Sequence, residues 1–167
     1  MKKVYQRIID PGKGDCMQAA MASLFDDEYE NVPSFIEYDN FYELWNQYLE
    51  SKGYIGKGIF HNKNWNILLN PTYECWNEHR FYQKALINHA NIEKVEGVNS
   101  LFYCTVLSPK YFKWDNISFQ CHAVLCDKNF NIVHDPNKEY EGIKSYPLSS
   151  ILDYSGIISI HNFVKIK

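Results

Sequence analysis

Gly14-Asp15-Cys16-Met17-Gln18-Ala19-Ala20-Met21-Ala22-Ser23-Leu24, residues 14–24, is the stretch on which the fold turns. Met17, Ala20, Met21 and Leu24 recur at i, i+3, i+4 and i+7, the spacing of one face of an α-helix. Ala19, Ala22 and Ser23 are small enough to let another element approach closely. The breaker run Asp10-Pro11-Gly12-Lys13-Gly14 precedes them, and Asp15 stands where a helix cap is expected. The pattern predicts a buried helix over 16–25, opened by a loop and carrying a cysteine in its first turn.

Outward from that helix the pattern changes character. Residues 3–9, Lys-Val-Tyr-Gln-Arg-Ile-Ile, read as a short strand or extended arm. Residues 26–33 form a polar exit, and a second amphipathic helix runs from about 40 to 51 with Phe41, Leu44, Trp45, Tyr48 and Leu49 on one side. Gly53 terminates it. Residues 54–77 are rich in Gly, Asn and aromatics and give only short irregular strands, followed by a third helix over 77–90. Beyond it come strands at 101–107, 119–126, 130–134 and 156–166. Residues 108–118 read as a mobile loop, and a short helix at 148–154 is opened by Pro147. Helices first and antiparallel strands afterwards is an α+β arrangement, not a doubly wound parallel sheet.

The chain has 167 residues, which suits one domain, 1–167, with a real core. Aromatic residues make up 16% of it, enough to fill that core and line a cleft. The net charge of −3 comes with no basic stripe, so nucleic acid is not the expected partner. No apolar run is long enough to span a bilayer, and Met1-Lys2-Lys3 is not followed by the apolar core of a signal peptide. The expectation is a soluble, cytoplasmic protein. Five cysteines at 16, 75, 104, 121 and 126 do not describe a disulfide framework, which fits a reducing compartment.

Cys16 is placed for chemistry. A thiol attacks carbonyls as thiolate, and the first turn of a helix puts its sulfur near the positive end of the macrodipole and near unpaired backbone N–H groups. Those N–H groups also suit an oxyanion, and Gly14 lets the backbone come close to a substrate. About a hundred residues later stand Cys121-His122-Ala123-Val124 and Val133-His134-Asp135-Pro136. If Lys128-Asn129 is a two-residue turn, Asp127 pairs with Phe130, Val124 with Val133 and His122 with Asp135. An imidazole N–H would then reach the carboxylate, leaving the other ring nitrogen to face a thiol. Each residue also has a plainer reading. Cys16 could be a small buried apolar residue, His122 a strand histidine satisfied by a carbonyl, and Asp135 a turn initiator before proline.

Tyr5-Gln6, the 14–24 run, Val32-Pro33-Ser34-Phe35 and the two His-containing segments together resemble a group of small papain-like phage and bacterial proteins. These are similar to bacteriocin-leader peptidases and their peptidase-like relatives. The resemblance implies a papain-like α+β fold, with N-terminal helices packed on a C-terminal antiparallel sheet. It implies Cys16 as nucleophile, His122 as general base and acid, Asp135 as the orienting residue and Gln6 as side-chain oxyanion donor. Gln6 stands ten residues before Cys16, farther than the family's usual spacing, and the Pro11–Gly14 loop would have to absorb the difference. The implied activity is a cysteine protease-like hydrolase, cleaving an amide, peptide, isopeptide or thioester bond without a cofactor. Its substrate would be a peptide or small amide, or a protein of the host cytoplasm if the chain is phage-encoded.

Three other readings compete. The same triad serves acyl or aminoacyl transfer. A non-catalytic phage protein that binds and inhibits a host defence factor could retain a papain-like shell. Cys75, His79, Cys104, Cys121, His122 and His134 offer metal ligands, although no second paired motif completes a tetrahedral site beside Cys75-x3-His79. Trp45, Trp65, Trp76 and Trp114 are candidates either for a cleft wall or for the core.

Overall fold

Seven residues in succession, Gln18 to Leu24, are buried along the first helix, α1, Cys16–Leu24. This is a computed structural model, describing residues 1–9, 14–35, 39–61, 95–107, 121–138 and 157–167. After α1 a single 3-10 turn, Tyr29–Asn31, leads to the second helix, α2, Phe41–Ser51. The described strands are β1 (Tyr54–His61), β2 (Phe102–Leu107), β3 (Cys121–Cys126), β4 (Ile132–His134) and β5 (Ile157–Lys165). They form one antiparallel sheet in the order β1-β5-β2-β3-β4. The α+β arrangement is therefore observed among the described residues. The expected third helix at 77–90, the loop at 108–118, the helix at 148–154 and Trp65, Trp76 and Trp114 lie outside them.

The two helices dock on the sheet in different ways. The alanines of α1 let its backbone lie against β3, where Ala123 and Leu125 join Ala20, Met21, Ala22 and Leu24 in one buried cluster. α2 docks on β1 through large side chains. Gly56 makes room for it, since a Cβ there would lie 3.3 Å from Leu49 Cδ1 and 3.6 Å from Trp45 Nε1. Around Trp45 the rings of Phe35, Tyr103 and Phe163 stand edge-on at centroid distances of 5.3, 5.2 and 5.6 Å. Such pairs contribute about 0.5–1.5 kcal/mol each beyond the area they bury. Trp45 is thus a core residue, 7% exposed. Gly53 ends α2 as expected, at φ +78°, a left-handed conformation that glycine adopts without steric cost.

Several boundaries differ from the sequence reading. Residues 1–9 form no strand but an extended arm, the second of the two forms expected. Tyr54–His61 is one eight-residue strand, with a shift in register against β5 between Gly58 and Phe60, and is longer than the short irregular pieces anticipated for that region. The β3–β4 turn departs most. Asp127 N–H bonds to Asn131 C=O at 3.0 Å and Phe130 N–H to Asp127 C=O at 3.0 Å, with Phe130 at φ +66°. This is a three-residue connection with a left-handed residue closing it, in place of the two-residue turn at Lys128-Asn129. Cys126 pairs with Ile132 and Leu125 with His134, with an irregularity between them.

Candidate functional site

The observed register decides how His122 meets Asp135. The expected count put Leu125 opposite Ile132; the structure puts it opposite His134, two residues further on. Two residues is the side-chain period of a strand, so the shift keeps Asp135 on the face of His122 while removing the directly opposed pairing. The contact survives: His122 Nε2–H donates to Asp135 Oδ1 at 2.7 Å, with both residues buried. The same oxygen accepts Asn137 N–H at 2.8 Å. Asp135 is therefore both the turn-forming residue and the partner of His122, and its plain reading and its chemical reading hold together.

Nε2 is engaged by Asp135, and Cys16, at the start of α1, stands close enough to the same imidazole to act on its protonation. Burial alone would push the His122 pKa down. The hydrogen bond to Asp135, the interaction with Cys16 and the charges on both outweigh it, raising the pKa to about 10. Cys16, His122 and Asp135 are thus brought together from α1, β3 and the end of β4. Cys16 is half-buried and is in no disulfide. Cys121 and Tyr103 lie close enough for Cys16 to act on them electrostatically. Burial first and Cys16 second push the Tyr103 phenol up, and the Cys121 thiol is raised as well although that residue is exposed.

Asp15 occupies the cap position of α1, yet its side chain makes no cap hydrogen bond. Its carboxylate is turned back to the N-terminal arm. It accepts Arg7 N–H at 2.9 Å and Ile8 N–H at 2.9 Å, and it also accepts the Tyr29 hydroxyl. In return Asp15 N–H donates to Ile8 C=O at 3.4 Å. The first intrahelical bond of α1 is Ala19 N–H to Asp15 C=O. The N–H groups at the very start of the helix are consequently left uncapped by any described side chain, in the place where an oxyanion would gather its donors. Asp15 thus holds the cap position expected from the sequence without making the cap bond.

Gln6 is held beside the site by its backbone. Its N–H donates to Pro136 C=O at 2.9 Å, one residue beyond Asp135. Its side-chain Nε2 donates to Ile8 C=O at 3.2 Å, and Oε1 is buried without a partner among the described residues. The structure therefore brings Gln6 near the Asp135 loop without pairing its amide to Cys16. Gln18, in the same run as Cys16, braces the chain that follows α1. Its Nε2 donates to Tyr29 C=O at 3.1 Å and to Val32 C=O at 2.7 Å.

Of the metal candidates, His122, His134, Cys104 and Cys121 are described. His134 Nε2–H donates to Val4 C=O at 2.8 Å, and Cys104 Sγ lies 3.1 Å from Cys126 Sγ inside the sheet. Among the described residues no three His, Cys, Asp or Glu side chains converge as ligands. Cys75 and His79 lie outside the described residues. No described helix is long and apolar enough to cross a membrane. In comparisons with protein-family models, curated proteins and solved structures, none matches this chain.

Proposed function

We propose that the chain is a papain-like cysteine hydrolase that cleaves an amide, peptide or thioester bond through Cys16, His122 and Asp135. The observation that carries this reading is the shared imidazole. One ring nitrogen is fixed by a carboxylate at 2.7 Å, and a thiol at a helix start lies near enough to raise the pKa of the same ring. In the proposed mechanism His122 holds the proton of Cys16 while the sulfur attacks the carbonyl carbon and forms a tetrahedral oxyanion. The uncapped N–H groups of the first turn of α1 stabilise that oxyanion. His122 then delivers its proton to the leaving amine or thiol as the C–N or C–S bond breaks, giving a Cys16 thioester. A water, losing a proton to His122, resolves the thioester and restores the thiol. Asp135 keeps the imidazole in the required tautomer and orientation. An amine in place of water gives acyl transfer with the same residues.

One observation favours the competing reading, a non-catalytic binding protein: the Gln6 amide is committed to Ile8 C=O instead of to the site. A thiol probe at neutral pH separates the two. Under the hydrolase reading Cys16 is labelled first, labelling disappears in Cys16→Ala and slows in His122→Ala. Equal labelling of all five cysteines, with no effect of His122→Ala, favours the binding protein. Product analysis with and without an added amine then distinguishes hydrolysis from transfer.

A further inference from the structure

Asp15 is an acidic residue immediately before the proposed nucleophile, where a negative charge opposes thiolate formation and a carboxylate would normally occupy the free N–H groups of the helix. It is nevertheless buried, 5% exposed, and fully turned away from α1. Three groups hold it there: the backbone N–H groups of Arg7 and Ile8 and the Tyr29 hydroxyl. Tyr29 is fixed in turn, because the Arg7 guanidinium lies 4.0 Å over its ring and pairs with Glu30 at 2.5 Å. The arm held by Asp15 continues to the other half of the site. Gln6 N–H binds Pro136 C=O beside Asp135, and Val4 C=O accepts the ring N–H of His134. Residues 4–8 therefore form a strap that joins the start of the Cys16 helix to the Asp135 loop, with Asp15 as its anchor at one end.

We propose that Asp15 is a positioning residue for the reaction. By clasping the arm, its carboxylate fixes the Cys16 helix start against the His122–Asp135 pair and leaves the first-turn N–H groups open to a substrate oxyanion. The inference rests on the Cys16–His122 reading above and assigns to Asp15 no contact with substrate. It predicts opposite signs for two roles of the same charge. If Asp15 acted only as a nearby negative charge, removing it would make Cys16 react faster; if it positions, removing it makes Cys16 react more slowly.

The test is the rate of Cys16 alkylation by iodoacetamide at pH 7, followed by peptide mass mapping on full-length protein shown to be folded by circular dichroism. Asp15→Ala is expected to slow the reaction about tenfold or more, since small misplacements of reacting groups carry losses of that size. Asp15→Asn is expected to restore most of it. Its Oδ1 keeps the Ile8 N–H bond at 2.9 Å and the longer Arg7 N–H contact at 3.2 Å, and its amide, in place of Oδ2, can donate to the Tyr29 oxygen. Tyr29→Phe, which keeps the ring under Arg7, removes one clasp bond and is expected to slow alkylation about threefold, the size of one modest hydrogen bond. It also serves if Asp15→Ala does not fold. Faster or unchanged alkylation in Asp15→Ala, or an unchanged rate in Tyr29→Phe, overturns the proposal. His122→Ala, measured alongside, keeps the two claims apart. If it leaves the rate unchanged the hydrolase reading fails, whereas a slowed His122→Ala with an unaffected Asp15→Ala defeats the positioning role alone.

Discussion

The two flanks of the sheet share one apolar core but differ in what is added to it. On the β1–β5 flank α2 is fixed by shape: Leu49 is fully buried, Trp45 sits among Phe35, Tyr103 and Phe163, and Gly56 lets the helix come close. On the β3–β4 flank α1 packs through small apolar side chains, and polar, directional joints are added to that packing. The arm is tied to Asp15, Pro136 and His134, and His122 is tied to Asp135. Apolar packing tolerates small rearrangements, whereas hydrogen-bonded groups in a buried setting have one good arrangement and a high cost for leaving it. The contrast suits a molecule in which one flank supplies stability and the other fixes the orientation of a few reacting atoms.

The largest effect that would break this contrast belongs to reactivity. His122→Ala is expected to lower hydrolytic turnover about 10²–10⁴-fold, the usual contribution of a positioned general acid–base, as read by steady-state kinetics on a cleavable ester. Leu49→Ala on the packed flank should cost about 2–5 kcal/mol in a urea melt. It should leave the Cys16 alkylation rate of the folded protein unchanged. A large loss of reactivity from Leu49→Ala would show that the flanks are not separable.

A smaller and sharper comparison comes from pH. Asp27 joins the end of α1 to α2 through Lys52 at 2.5 Å and the Tyr48 hydroxyl at 3.1 Å. Its partial burial would raise its pKa. The hydrogen bonds from Lys52, Asn31, Glu28 N–H and Tyr48 overcome this and hold it at about 2, below the ordinary 3.8. Folding thus favours the charged form, so this stabilisation is present above about pH 3.8 and is lost as pH falls through about 2. His122 has the opposite sign. Its pKa is raised from 6.5 to about 10, so its contribution is complete below pH 6.5 and is lost as pH rises through about 10. Urea melts across this range should therefore weaken at both ends, Asp27→Asn flattening the acid limb and His122→Ala the alkaline one. An alkaline limb that persists in His122→Ala would assign it to another group.

Much of this was legible in the sequence because it was local. The i, i+3, i+4 spacing placed α1 and α2 to within a residue or two, and the four later strands were placed close to where they lie, whereas β1 was read only as short irregular pieces. The hairpin was not local in the same way. A left-handed residue at position 130 is normally announced by Gly or Asn, and here it is Phe130, buried at 9% exposure. The sequence therefore pointed to a turn one residue too short, and a second irregularity before His134 completed a shift of two. His122 and Asp135 still meet because two is the period of the strand, so the right contact came from the wrong register. Asp15 misled for a related reason: its residue type and position announce a cap, but its carboxylate is claimed by an arm that only the tertiary fold brings near. Gln6 follows the same pattern, since the amide expected at the oxyanion bonds to Ile8 two residues away.

The central claim is that Cys16 forms and releases an acyl adduct with the help of His122. Its most direct test is incubation with an activated acyl ester such as p-nitrophenyl acetate, with rapid quenching and mass mapping of every cysteine. The expected result is a transient acyl adduct on Cys16 that turns over in the native protein. No adduct should form at that position in Cys16→Ala, and both formation and release should slow markedly in His122→Ala. An adduct that collects instead on Cys121, or a Cys16 adduct indifferent to His122→Ala, would contradict it.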